Sequence, residues 1–147
     1  MPEAPAPAAA QPHLLLAFDF GLRRVGVALG NTLTAAARPL KTIDAESSAA
    51  RFAAIATLIA EWRPDTLIVG RPLDTEGHVT DMTARAERFG RQLQGRFRLP
   101  LKFTDERYTS AIAEAALKTG RADKHRIDAA AAAIILQTWL DESSSKI

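Results

Sequence analysis

Leu14-Leu15-Leu16-Ala17-Phe18 is an unbroken apolar run that ends on Asp19-Phe20-Gly21, the pattern of a strand buried on both faces. After the polar turn Leu22-Arg23-Arg24 comes Val25-Gly26-Val27-Ala28-Leu29-Gly30, with aliphatic residues at odd positions and Gly or Ala at even ones. This predicts a strand with one bulky face and one nearly bare face, hairpinned to the first. A third strand is expected over residues 38–43. The period then becomes helical. Phe52, Ile55, Ala56, Ile59 and Trp62 predict a helix capped by Ser47 or Ser48 and stopped by Pro64. Thr66-Leu67-Ile68-Val69 predicts a short buried strand ending at Gly70, and residues 71–79 read as a polar loop.

Met82, Ala86, Phe89, Leu93 and Phe97 mark a second helix, and residues 101–105 a further strand. Ser110 can cap a short third helix with Ile112, Ala113, Ala116 and Leu117 inward. Residues 118–126 read as a basic loop, and residues 127–140 as the last helix. A strand meander followed by alternating helices and strands predicts an α/β fold, a mixed sheet with helices on both faces.

Composition narrows the function. Of 147 residues, 29 are alanine, so the 47% hydrophobic fraction overstates the bulk available for burial. The length still suits one domain with a real core. The formal net charge of +2 is too small to diagnose a nucleic-acid partner; that 14 of the 19 bases are Arg is a hint toward phosphate. With no cysteine, thiolate metal sites, disulfides and a Cys nucleophile are excluded. His13, His78 and His125 are scattered, which argues against a His-rich metal site. No apolar run approaches the roughly 20 residues of a membrane span. Residues 1–13 read as a disordered extension without the basic start of a signal peptide. One domain over residues 14–141, a flexible tail over 142–147 and a soluble cytoplasmic protein are the expectation.

Acids stand out at three places. Asp19 ends a strand of five apolar residues, and the bare face of the second strand beside it would let a ligand approach closely. Asp105-Glu106 follow a central strand at the edge where open α/β sheets place ligands. Asp128 shares a helical face with Ala131, Ala132, Ile135 and Trp139, and the small alanines would let that helix approach the sheet. Each alone has a bland reading as a turn cap, a solvated acid beside Arg107, or a first-turn acid favoured by the helix dipole. Jointly they form a hard oxygen site suited to Mg²⁺ or Mn²⁺. Two such ions roughly 3.5–4 Å apart are a general device for cleaving phosphodiesters. Arg23, Arg24, Arg71, Arg107, Lys118, Arg121, Lys124 and Arg126 are placed to grip phosphates nearby. Arg85, Arg88, Arg91, Arg96 and Arg98 read mostly as an exposed helix face.

Four motifs occur in order. They are Asp19-Phe20-Gly21 with Arg24-Val25-Gly26-Val27-Ala28, Val69-Gly70-Arg71-Pro72-Leu73, Asp105-Glu106-Arg107-Tyr108-Thr109-Ser110, and the run Ile127-Asp128-Ala129 through Gln137. Together they resemble the YqgF family (also called RuvX), the pre-16S ribosomal RNA nucleases, over residues 14–141. The resemblance implies a ribonuclease H-like fold, with a mixed five-stranded sheet flanked by helices, as in RuvC-type Holliday junction resolvases. It implies metal-dependent processing of the 5′ end of the 16S rRNA precursor in the bacterial cytoplasm, with that RNA or its ribosomal particle as partner. Asp19, Glu106 and Asp128 match the family's acidic positions, with Asp105 the alternative to Glu106. Arg71 and Tyr108 replace common aliphatic residues and Asn31 a common Asp, departures that touch substrate contacts. The rival readings are a nuclease of structured DNA, such as a junction resolvase, and a non-catalytic RNA- or ribosome-binding module. A sugar-kinase-like phosphotransferase would need a second such domain.

Overall fold

The computed structural model describes residues 13–107 and 124–144. In chain order the elements are β1 Leu14–Phe20, β2 Arg24–Asn31, β3 Ala36–Asp44, α1 Ser48–Trp62, β4 Thr66–Leu73, α2 Asp81–Phe97, β5 Leu101–Arg107 and α3 Lys124–Ser144. The five strands form one sheet in the order β3-β2-β1-β4-β5. The β1–β2 and β2–β3 pairs are antiparallel, whereas β1–β4 and β4–β5 are parallel. The expected meander, the mixed sheet and the helices on both faces are all present.

Alternation along the strands sorts the core into two layers. Leu16, Phe18, Val25, Val27, Leu67 and Val69 face α1 and α2, where Phe52, Ile55, Phe89 and Leu93 meet them. Leu15, Ala17, Ala28 and Ile68 face the other way, onto Ala132, Ile135, Leu136 and Leu140 of α3. Ser47 caps α1 by accepting a hydrogen bond from the Ala50 N–H, and Arg63 ends it in a left-handed conformation just before Pro64.

Several boundaries differ from those the sequence predicts. Strand β4 does not stop at Gly70 but continues through Arg71-Pro72-Leu73, because β5 pairs with it as far as Leu73. Pairing with β1 ends at Val69, so Pro72 lies where β4 has a neighbour on one side only, a position that tolerates proline. In α1, Ala56 is exposed and Leu58 is buried in its stead. Helix α3 begins at Lys124 and ends at Ser144, so Lys124, His125 and Arg126 belong to a helix rather than to a loop. The short helix expected after Ser110 lies outside the described residues. No described helix is long and apolar enough to cross a membrane.

The bare face of β2 receives the helix, not a ligand. A Cβ on Gly26 would stand 1.9 Å from the Asp128 carbonyl oxygen, and one on Gly30 would stand 2.9 Å from Leu136 Cδ2. Gln137 secures the other end of the same contact. Its Oε1 accepts from the Ala37 N–H at 3.1 Å, and its Nε2 donates to the Ala35 carbonyl at 2.9 Å.

Two glycine substitutions separate close packing from backbone entropy. Gly26→Ala is expected to destabilise by about 3 kcal/mol or more, because the added methyl would collide with the backbone of α3. Gly95→Ala in α2 meets nothing within 4 Å and is expected to stabilise by about 0.5–1 kcal/mol. Urea denaturation measures both, and a neutral Gly26→Ala would refute the close contact of α3 with β2.

Candidate active site

All the parallel strands point their C-terminal ends the same way, and α3 starts at that end. Asp19, one residue from the end of β1, follows Leu15 and Ala17 onto the α3 face. It pairs in register with Gly26, and Gly26 lies under the Asp128 backbone. That chain of contacts brings a residue of the last helix beside the first strand. On β5, Thr104 and Glu106 share the α3 face. A Cβ on Gly70, in β4 between the two, would lie 3.4 Å from Glu106 Oε1 and 2.7 Å from Ile135 Cδ1. The missing side chain of Gly70 makes room for Ile135 of α3, with the Glu106 carboxyl at van der Waals distance beside it.

The electrostatics follow from this crowding. Burial, and then the neighbouring Asp128 carboxylate, push the Asp19 pKa up from 3.8 to about 7. Burial and then Asp19 push that of Glu106 up from 4.5 to about 8. Asp128 is compensated: Arg24 Nε donates to its Oδ2 at 2.8 Å, and both side chains are about three-quarters shielded from solvent. Among the described residues, no three acids or imidazoles converge into a ready-made metal site.

Asp105 faces the opposite side of the sheet. Arg71 Nη1 lies 2.5 Å from its Oδ1, while Arg71 Nε donates at 2.9 Å to Glu87 Oε2 on α2. Of the two adjacent acids, it is therefore Glu106 that shares a face with Asp19 and Asp128. Arg23 is exposed and pairs with Asp44 at 3.1 Å, and Arg126 is exposed on the first turn of α3. Arg107 and Lys124 lie at the same sheet end by their place in β5 and α3. Lys118 and Arg121 fall outside the described residues. Sequence reasoning did not single out Gly70 or Arg51. The Val69-Gly70 step, a bare position on the face that also carries Ile68, is the signal for the first. Arg51 carries none, because its environment is assembled from β1 and α2.

The comparisons with known proteins agree with this architecture. The model of the family described as "RuvX: Holliday junction resolvase" matches residues 13–142. A protein of Burkholderia cenocepacia (strain HI2424) named "Putative pre-16S rRNA nuclease" is 50% identical over 141 residues, covering 93% of this chain and 95% of its own. A protein of the same name from Paraburkholderia phytofirmans is 51% identical over 127 residues, covering 86% and 87%. Among solved structures, RuvC of T. thermophilus in complex with a Holliday junction substrate superimposes with a TM-score of 0.55 at 16% identity, over 89% of this chain and 96% of that one. The Fowlpox virus resolvase, in complex with Holliday junction DNA, gives 0.52 at 5% identity over 88% and 97%. At such identities the likeness is one of fold, and the fold is ribonuclease H-like.

The raised pKa values have a consequence for stability. The folded chain keeps protons on Asp19 and Glu106 up to about pH 7 and 8, whereas the unfolded chain loses them near 3.8 and 4.5. Between those limits the folded state binds more protons, so stability falls as pH rises through them. In EDTA the melting temperature is expected to decline from about pH 5 to about pH 9, and Asp19→Asn and Glu106→Gln should each flatten the decline. Identical profiles for wild type and both variants would mean that these carboxyls are not crowded.

Proposed function

The chain belongs to the RuvX family, also called YqgF, and from that premise we propose that it processes the 5′ end of the 16S rRNA precursor by divalent-metal-dependent hydrolysis at Asp19, Glu106 and Asp128. It is a nuclease, a hydrolase of phosphodiester bonds. The observation that carries the choice of centre is the placing of Asp19 between two other acids on one face at one sheet end, with no cation on Asp19 itself among the described residues. The name shared by the bacterial relatives supports the RNA substrate.

The donor set suits a hard ion. Every atom offered is a carboxylate oxygen, the ligand class of Mg²⁺ and Mn²⁺. Burial first, and then the neighbouring negative charge, leads Asp19 and Glu106 to hold protons near neutral pH, which makes the place favourable for positive charge. Bound there, such an ion would lower the pKa of an attacking water and stabilise the leaving oxygen. Arg24 orients Asp128 beside the other two through the Nε–Oδ2 contact. Arg23 and Arg126 contact backbone phosphates along this end, and Arg107, Lys118, Arg121 and Lys124 add to the substrate contact. Arg71, expected from the sequence to grip phosphate, is instead tied to Glu87 of α2 and Asp105 of β5. A second reading, cleavage of structured DNA, is favoured by the resolvase description of the family and uses the same chemistry.

The test is cleavage of labelled precursor rRNA and of a four-way DNA junction by the purified chain with Mn²⁺, alongside thermal melts. Asp19→Asn, Glu106→Gln and Asp128→Asn should each lose on the order of 100-fold or more in rate, more than a residue that only supports a ligand. Asp105→Asn should keep a measurable rate. Mn²⁺ should raise the melting temperature of the wild type and leave that of Asp19→Asn nearly unmoved. Cleavage that survives Asp19→Asn, with wild-type melts indifferent to Mn²⁺, would overturn the metal centre. Cleavage of the junction in preference to rRNA would move the substrate to DNA.

A further inference from the structure

On the face of the sheet away from the three acids, α1 and α2 leave a cleft of about 300 Å³ under the turn that joins β1 to β2. Phe20 and Leu22 form its roof, Ser48 and Arg51 come from the first turns of α1, and Arg85, Arg88 and Gln92 come from α2. Residues 85, 88 and 92 recur at helical spacing and so present one face of α2 to the cleft. Three arginines thus line one small space. No acid is among the described residues that line it, and Arg85 Nε donates at 2.8 Å to Asp81 in an exposed pair one helical turn away.

Arg51 sets this cleft apart from an ordinary charged surface. Its Nη2 donates to the Leu22 carbonyl at 2.7 Å, and its guanidinium carbon stands 5.3 Å from the centre of the Phe20 ring. Its Nε is buried and has no hydrogen-bond partner among the described residues. A buried N–H without a partner is costly, and three like charges repel. The mutual repulsion falls if an anion enters the cleft. The N-terminus of α1, a 15-residue helix, adds its positive end from the side of Ser48.

We propose that this cleft is a phosphate-binding subsite that takes a backbone phosphate of the nucleic-acid strand whose cleavage the opposite face performs. The inference rests on the nuclease reading. The β1–β2 turn connects the two places directly: Asp19 faces α3, Phe20 faces the cleft, and Arg51 holds the carbonyl of Leu22 between them. A strand crossing the end of the sheet over this turn would present one phosphate to the acids and others, on the α1–α2 side, to the arginines. Guanidinium forks suit phosphate oxygens, and the small cleft suits a flexible single strand better than a duplex.

Binding can be read without cleavage, from the fluorescence anisotropy of a labelled single-stranded RNA oligonucleotide in EDTA over a range of salt. The Arg85→Ala/Arg88→Ala double variant removes two exposed side chains and leaves Arg51, which supports the turn, in place. Its affinity should fall about tenfold or more, and the slope of log affinity against log salt should shrink by about 0.7 for each phosphate that the variant no longer neutralises. Arg98→Asn, a charge loss at the far end of α2 in a left-handed position that Asn tolerates, should bind as the wild type does. Unchanged affinity and slope in the double variant, or equal weakening by Arg98→Asn, would overturn the subsite. So would inorganic phosphate binding that depends on Arg85 and Arg88 while RNA binding ignores them, since the cleft would then serve a free anion. Wild-type protein that binds RNA through these arginines and cleaves nothing would instead sink the nuclease reading and leave the subsite standing.

Discussion

The contact between the Asp128 backbone and Gly26 is the constraint from which the site follows. Helix α3 crosses β2 so closely that no side chain fits beneath it, and Gly26 is the residue that pairs with Asp19. The same glycine therefore admits the helix and fixes the distance between its first acid and the acid of β1. Gly30 and Ala28 continue the bare track, and Gln137 fastens the lower half of the helix to the start of β3. Residues 104 positions apart, Arg24 and Asp128, become ion-pair partners as a result. A helix held by larger residues would stand farther from the sheet and would leave Asp19 without its neighbour.

The sheet also divides the acids into compensated and uncompensated sets. Asp105 and Glu87 share Arg71 on the α2 face, and Asp128 has Arg24. Asp19 and Glu106 crowd each other on the α3 face, and their high pKa values record what that crowding and burial cost. A folding core has no use for such a pair, since two apolar residues of similar size would pack there without the penalty. Its persistence is intelligible when a positive ligand is the expected occupant. Gly70 serves the approach of the helix, because the absence of a side chain there makes room for Ile135 of α3 next to the Glu106 carboxyl.

A second concentration of charge, of the opposite sign, lies one residue away through the sheet. Phe20, next to Asp19, turns toward α1 and α2 and meets Arg51, with Arg85 and Arg88 alongside. Its ring also packs against Phe89 at 4.9 Å, so the aromatic cluster of that core layer forms the floor on which the arginines stand. Acids on one face and guanidiniums on the other, joined by a short turn, make a pairing suited to a polyanion that crosses the sheet end.

Much of this was legible in the sequence, and the rest was not for definite reasons. Alternation of bulky and bare positions in Val25–Gly30, the five alanines after Asp128 and the period of Phe52 through Trp62 are local signals of β2, α3 and α1. They sufficed for the order of elements and for helices on both faces. The three acids were visible because carboxylates at the ends of apolar runs are unusual. Local pattern could not say that β4 runs on through Pro72, since that depends on where β1 stops pairing and β5 continues. Nor could it choose between Asp105 and Glu106, for neighbouring strand residues face opposite ways and only the packing of α3 decides which of them shares a face with Asp19 and Asp128. The same limit hid the arginine cleft: Arg85 and Arg88 look like a solvated helix face until α1 brings Arg51 beside them. Periodicity is a property of a segment, whereas partnership between charges belongs to the folded chain, and tertiary contacts alone assign it.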